Sequence, residues 1–169
     1  GQAHSGTSPL IVMTPKSLLR APAARSRAVD FSSGGFATLL GNPDAPSQVQ
    51  TLLLCSGKIA FDLIAARRAA GESQAEILRA EQLHPFPETE IAAFLAAHPE
   101  VRELRWVQEE PHNMGAWTHV APLLALVAAG RPVTFVGRRA AGSPATGSAR
   151  VHQAEQERLV AEALRPDVS

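Results

Sequence analysis

Short apolar runs, each ended by Gly, Pro or small polar residues, recur along this chain and predict its strands. Pro9-Leu10-Ile11-Val12-Met13-Thr14 is almost unbroken, and Val49 to Cys55, Ala75 to Ala80, Leu104 to Val107 and Pro132 to Val136 follow. Runs of this length and continuity suit strands with both faces covered. Between them the period changes to that of a helix. After Ser56-Gly57-Lys58, the residues Ile59, Leu63, Ala66 and Ala70 fall near one face, Arg67 and Arg68 stand where cations suit the helix dipole, and Gly71 is a stop. Glu88 to Ala97, Ala116 to Ala129 and Val151 to Leu164 read as further helices, with Gly130 capping the second of these.

Strands that alternate with helices predict an α/β fold: three α/β/α layers around a mostly parallel, five-stranded sheet. The segment from Lys16 to Phe31 mixes Ala, Arg and Pro and predicts only short helical turns. Ser32 to Gly35 and Gly41 to Ser47 read as loops, Glu81 to Pro87 as a rigid turn, and Gly137 to Ser148 as a long small-residue loop. Residues 1–8 read as linker or vector-derived, 9–165 as a single domain, and 166–169 as a tail.

Composition adds limits. The 169 residues suffice for a core without disulfides, and the single cysteine, Cys55, excludes a disulfide framework or a multi-cysteine zinc site. Within its apolar run Cys55 reads as a small buried hydrophobe. Formal net charge is zero, so no global field attracts nucleic acid or an anionic membrane. No apolar stretch approaches the ~20 residues of a membrane span.

Candidate chemistry gathers where strands end. Ser56-Gly57-Lys58 offers amides and a cation to an anion, but no Gly stands five residues before Gly57, so the Walker pattern is absent. A weaker anion site and plain helix capping both remain open. Glu109 and Glu110 are adjacent, point to opposite sides of a strand, and read as a solvated or salt-bridged edge rather than an acid/base pair. The six histidines show no metal spacing and no Ser elbow is present. Arg138-Arg139 suits either bidentate binding of phosphate or carboxylate, or an interface role. Thr14, Ser56, Gln82, Gln108 and Arg138 all fall at predicted strand ends on one side of the sheet, the side where ligands bind. Thr14, Ser56, Lys58, Gln108, Arg138 and Arg139 are therefore the expected anion-binding set.

Several motifs together resemble one family. They are Pro9 to Arg20 (PLIVMTPKSLLR), Cys55-Ser56-Gly57-Lys58, Arg79 to Pro87 (RAEQLHPFP), Gln108 to Trp117 (QEEPHNMGAW) and the Gly137 to His152 segment. In this order, from Pro9 to about Leu164, the chain resembles the C-terminal domain of the thiamine-diphosphate-dependent decarboxylase component of 2-oxoglutarate dehydrogenase. Met114 departs from the Gln usual at its position.

The resemblance implies a transketolase C-terminal-like fold, joined in the intact enzyme to two domains that hold thiamine diphosphate and Mg²⁺. Those domains decarboxylate 2-oxoglutarate and transfer the succinyl group to a lipoyl-protein in the citric acid cycle. None of the family's catalytic, cofactor or metal residues carries over to this segment, which alone should not turn over substrate. The implied partners are a second copy in a homodimer and the lipoyl succinyltransferase, in a bacterial cytoplasm, with no nucleic acid and no membrane. Actinobacterial relatives imply acetyl-CoA as an allosteric activator, which fits the anion-binding set of six residues named above, and the Arg138-Arg139 pair resembles that branch; AMP is a second candidate effector. A regulatory module for acyl-CoA or adenine nucleotide is the alternative reading, and a domain that only supplies dimer interface around Trp106 and Trp117 is the third.

Overall fold

Thr51–Cys55 is buried along its whole length and takes the centre of the sheet. The structure is a computed structural model that describes residues 11, 14–42, 44–71, 73–144 and 147–166. By its contacts the chain divides into two units, Gly1–Ala37 and Thr38–Ser169.

In the first unit the expected short turns are 3-10 turns at Lys16–Leu18, Pro22–Ala24 and Ala28–Phe31, none with a buried residue. Most of the run Pro9–Thr14 lies outside the described residues. Its described members, Ile11 and Thr14, are exposed and are not themselves in a strand.

The second unit carries a five-stranded sheet in the order β1-β3-β2-β4-β5. The strands are β1 Leu39–Leu40, β2 Thr51–Cys55, β3 Ala75–Ala80, β4 Glu103–Pro111 and β5 Val133–Arg138. β2 to β5 are parallel to one another, with Leu53 paired to Ile77 on one side and Arg105 on the other. The two-residue β1 runs antiparallel along the edge of β3. The fold class is thus as predicted, with β1, at the end of the short apolar stretch 36–40, as a fifth strand that the sequence reading did not assign. β4 continues through Glu109 and Glu110 to Pro111, beyond the predicted end, and its register with β5 shifts between Val107 and Pro111.

Four helices cover the sheet: α1 Ile59–Ala70, α2 Glu88–Ala97, α3 Trp117–Val127 and α4 Ala149–Leu164. Strand alternation sorts the side chains into two cores. Leu52, Leu54, Leu78, Leu104 and Trp106 pack with Ile91 and Leu95 of α2 and Val120 and Leu124 of α3. Leu53, Cys55, Ile77 and Val107 pack with Ile59 and Leu63 of α1 and Leu159, Val160 and Ala163 of α4. Fully burying a side chain such as Leu53 or Ile77 contributes roughly 1.5–3 kcal/mol. Two buried arginines hold this frame at its ends. Arg67 of α1 pairs with Glu76 at 3.0 Å and donates to the carbonyls of Ala75 and Asp44, and Arg105 of β4 pairs with Glu103 and donates to those of Ala163 and Arg165.

Candidate functional site

Because β2 to β5 are parallel, the residues that follow them share one edge of the sheet, the edge where open α/β sheets meet ligands. Ser56 follows β2, Gln82 lies two residues past β3, Gln108 lies near the end of β4, and Arg138 ends β5. Gln82 donates to the Pro85 carbonyl at 2.9 Å, within the turn that contains the cis His84–Pro85 bond. Thr14 lies in the other unit, Gly1–Ala37.

The chain leaves β2 toward β3 on one side and leaves β4 toward β5 on the other, so the carboxyl ends of β2 and β4 form the switch point of the sheet. Gly57, at φ +70°, allows the turn from β2 into α1 and places Lys58 there. The Lys58 ammonium lies 2.8 Å from both the Asp62 and the Glu109 carboxylates. Gln156 of α4 donates to the same two carboxylates at 2.9 Å, while its own Oε1 is buried without a hydrogen-bond partner. Burial works against the charge on Lys58, but hydrogen bonds to Asp62 and Glu109, and their charges, outweigh it and hold the ammonium above its usual pKa. The switch point is therefore braced by a polar cluster that ties β4, α1 and α4 together. Glu109 is the salt-bridged edge predicted for it, and Glu110 is exposed.

Gln108 is buried, and its amide is committed within the protein. Its Oε1 accepts from Trp106 Nε1 at 2.9 Å and from the Trp117 amide at 3.0 Å, and its Nε2 donates to the carbonyls of Met114 at 2.7 Å and Pro111 at 3.2 Å. The turn it braces needs glycine. Gly115 has φ +68°, and a Cβ there would stand 2.8 Å from Gln108 Nε2. Gln108 thus shapes the edge through this turn rather than by offering a free amide to a ligand.

The arginine pair behaves differently. Arg138 and Arg139 line a surface cleft of about 520 Å³ together with Ser143, Pro144, Glu155 and Arg158. Arg138 is buried, with its Nε 3.2 Å from Glu155 Oε2, yet neither atom makes a hydrogen bond. Its Nη2 donates to His152 Nδ1 at 2.8 Å. Arginine has no acceptor, so Nδ1 is the acceptor in this contact. Arg139 is exposed and makes no ion pair or hydrogen bond among the described residues. Asn113 clasps the loop beyond the pair: its Nδ2 donates to the Ala141 carbonyl and its Oδ1 accepts from the Ala141 amide, both at 3.0 Å. Of the six expected residues, the structure brings Arg138 and Arg139 into one cleft, places Ser56 and Lys58 at the neighbouring switch point, and turns Gln108 inward.

Asn113, His152, Glu155 and Arg158 are contributors that the sequence reading missed. The last three had a signal in the sequence, because a step of three residues on a helix puts all of them on one face. Asn113 had only its place in a turn. Among the described residues, no group of three or more His, Cys, Asp or Glu side chains fits a metal ion. Burial pushes the Cys55 thiol up to about 12, which removes it as a nucleophile near neutral pH. At this edge the arginine cleft presents Arg138, Arg139 and Arg158 together with Glu155, while Lys58 is already paired with two carboxylates.

Comparisons with known proteins agree with the architecture. The family model for the 2-oxoglutarate dehydrogenase C-terminal region matches residues 25–164. The chain is 43% identical over 166 residues to the 2-oxoglutarate dehydrogenase E1 component of Exiguobacterium sp., covering 95% of this chain and 18% of that protein. It is 45% identical over 164 residues to the E1 component of Geobacillus kaustophilus, covering 92% of this chain and 17% of that one. The chain thus spans under a fifth of the length of the curated relatives it matches. Among solved structures, a split-gene transketolase, an inactive β4 tetramer, superposes with a TM-score of 0.50 at 18% identity, over 70% of this chain and 39% of the other, a likeness of fold. With a family model matched over residues 25–164, the chain belongs to the 2-oxoglutarate dehydrogenase C-terminal family.

Proposed function

We propose that this chain acts as the C-terminal domain of a 2-oxoglutarate dehydrogenase E1 component, with residues 9–165 as one domain between a short linker and a tail. The observation that carries the reading is the near-complete alignment of the chain with E1 components at 43% and 45% identity. In this reading the whole protein decarboxylates 2-oxoglutarate and succinylates a lipoyl-protein, works as a homodimer with a lipoyl succinyltransferase, and does so in the bacterial cytoplasm. No helix among the described residues is long and apolar enough to cross a membrane. Thiamine diphosphate and Mg²⁺ belong to the rest of such a protein. Among the described residues, no group of three or more His, Cys, Asp or Glu side chains could hold a metal ion.

The role of this domain is then assembly and effector binding. The cleft at Arg138 and Arg139 is the proposed site for the anionic part of acetyl-CoA or AMP, favoured by an Arg139 guanidinium without a partner among the described residues and by a loop tied to Asn113. Calorimetric titration with each compound, at low and moderate salt, tests this. Saturable binding that weakens at least tenfold in the Arg138→Ala/Arg139→Ala variant is expected. Binding unaffected by that change would remove the cleft from consideration, and turnover by this chain alone would contradict a non-catalytic role.

A further inference from the structure

We propose that Glu155 is a built-in competitor for the arginine cleft, which reserves it for ligands with two or more neighbouring negative charges, such as a diphosphate. The proposal rests on the reading of Arg138 and Arg139 as an anion site.

The Arg138–Glu155 pair is the starting point. A stabilising arginine–carboxylate pair aligns N–H with oxygen, often in two parallel hydrogen bonds. Here Arg138 Nε and Glu155 Oε2 are 3.2 Å apart, both atoms are buried, and neither makes a hydrogen bond. The attraction is one of charge without alignment, so an incoming oxygen with better geometry would gain what Glu155 does not supply.

The two partners also differ in freedom. The Arg138 side chain is 9% exposed and is held by His152 Nδ1, whereas that of Glu155, on α4, is 33% exposed. Arg138 is therefore fixed, and Glu155 is the member able to rotate into water. Two more guanidinium groups line the same cleft. Arg139 has no partner among the described residues, and Arg158 makes only a long contact of 3.5 Å to Glu162.

Three cations facing one carboxylate set a threshold. A monoanion that displaces Glu155 merely exchanges one negative charge for another at Arg138. A diphosphate replaces that charge and also reaches Arg139 or Arg158. The cleft volume of about 520 Å³ is ample for such a group, and the Asn113–Ala141 clasp keeps its far wall in place.

The test is calorimetry on the whole 169-residue chain with inorganic pyrophosphate and, separately, acetate, comparing wild type with Glu155→Gln, Glu155→Ala and Arg138→Ala/Arg139→Ala. Both Glu155 variants should bind pyrophosphate about tenfold more tightly than wild type, from the loss of one nearby like charge. Acetate binding should become measurable. Glu155 variants that unfold in urea like wild type but bind pyrophosphate no better, or worse, overturn the competitor and make Glu155 a positioning residue for Arg138. The anion-site reading would survive that result. It fails separately, and takes this inference with it, if pyrophosphate binding is absent or indifferent to the loss of both arginines.

Discussion

Gln108 shows how a single residue can be read correctly in kind and wrongly in direction. As a polar residue near a strand end it suggests a ligand contact. The period of two that turns Leu104 and Trp106 toward the α2–α3 layer carries Gln108 to the same side, and Glu109 to the other, where it meets Lys58. The alternation was therefore legible for the glutamates and equally available for Gln108. What the sequence did not reveal is that β4 continues to Pro111, which keeps Gln108 inside the sheet and next to the turn at Met114 and Gly115. Replacing it by Leu leaves Trp106 Nε1, the Trp117 amide and the Met114 carbonyl without their partner. Each unsatisfied buried group costs about 1–3 kcal/mol, so Gln108→Leu should lose about 3 kcal/mol in urea unfolding. A loss near zero would mean that water takes over these bonds.

At the scale of elements, the long periodic segments were the most legible. α1 to α4 and three of the four parallel strands, β2, β3 and β5, lie within two or three residues of their predicted bounds. β1 was not legible, because two residues paired antiparallel at an edge carry no period. At the other end of the chain most of the predicted first strand lies outside the described residues, and its described member Ile11 is 82% exposed. The end of α4 depends on a residue far away in sequence. Arg105 Nη1 donates to the carbonyls of Ala163 at 2.8 Å and Arg165 at 2.7 Å, groups that a helix terminus cannot satisfy by itself. Arg105→Leu also strands Glu103 without its cation in a buried setting, a loss of about 3 kcal/mol or more. Hydrogen exchange should then speed up in residues 160–165 well before it does in α2. Equal acceleration in both helices would show that Arg105 supports the whole fold rather than the end of α4.

For the whole molecule, the edge that carries the site was legible because parallel strands order their ends in one direction. The contents of that edge were not, because Asp62, Glu155 and Gln156 reach it from helices whose packing only the fold decides. The same packing sets how stability responds to alkali. Cys55 lies at the centre of the sheet with no exposure, and its thiol rises from an ordinary 9.0 to about 12, first because of burial. Lys58 is also held above its ordinary value, by Asp62 and Glu109 against the opposing effect of burial. In both cases the folded chain keeps a proton that the unfolded chain gives up sooner. The stabilisation is therefore complete below the unfolded pKa and is lost as pH rises toward the folded one. Between about pH 9 and pH 12 the Cys55 contribution alone should lower unfolding free energy by about 1.4 kcal/mol per pH unit, with Lys58 adding to the slope from roughly pH 10.5 upward. Cys55→Ala removes the thiol but leaves the lysine cluster, so urea unfolding between pH 8 and pH 10.5 should show a shallower alkaline slope in the variant, whatever the offset from its smaller side chain. Parallel slopes would mean that the thiol ionises in the folded chain as readily as in the unfolded one. Rapid alkylation of native wild type near pH 8 would point the same way, and would place Cys55 within reach of water despite its position between β3 and β4.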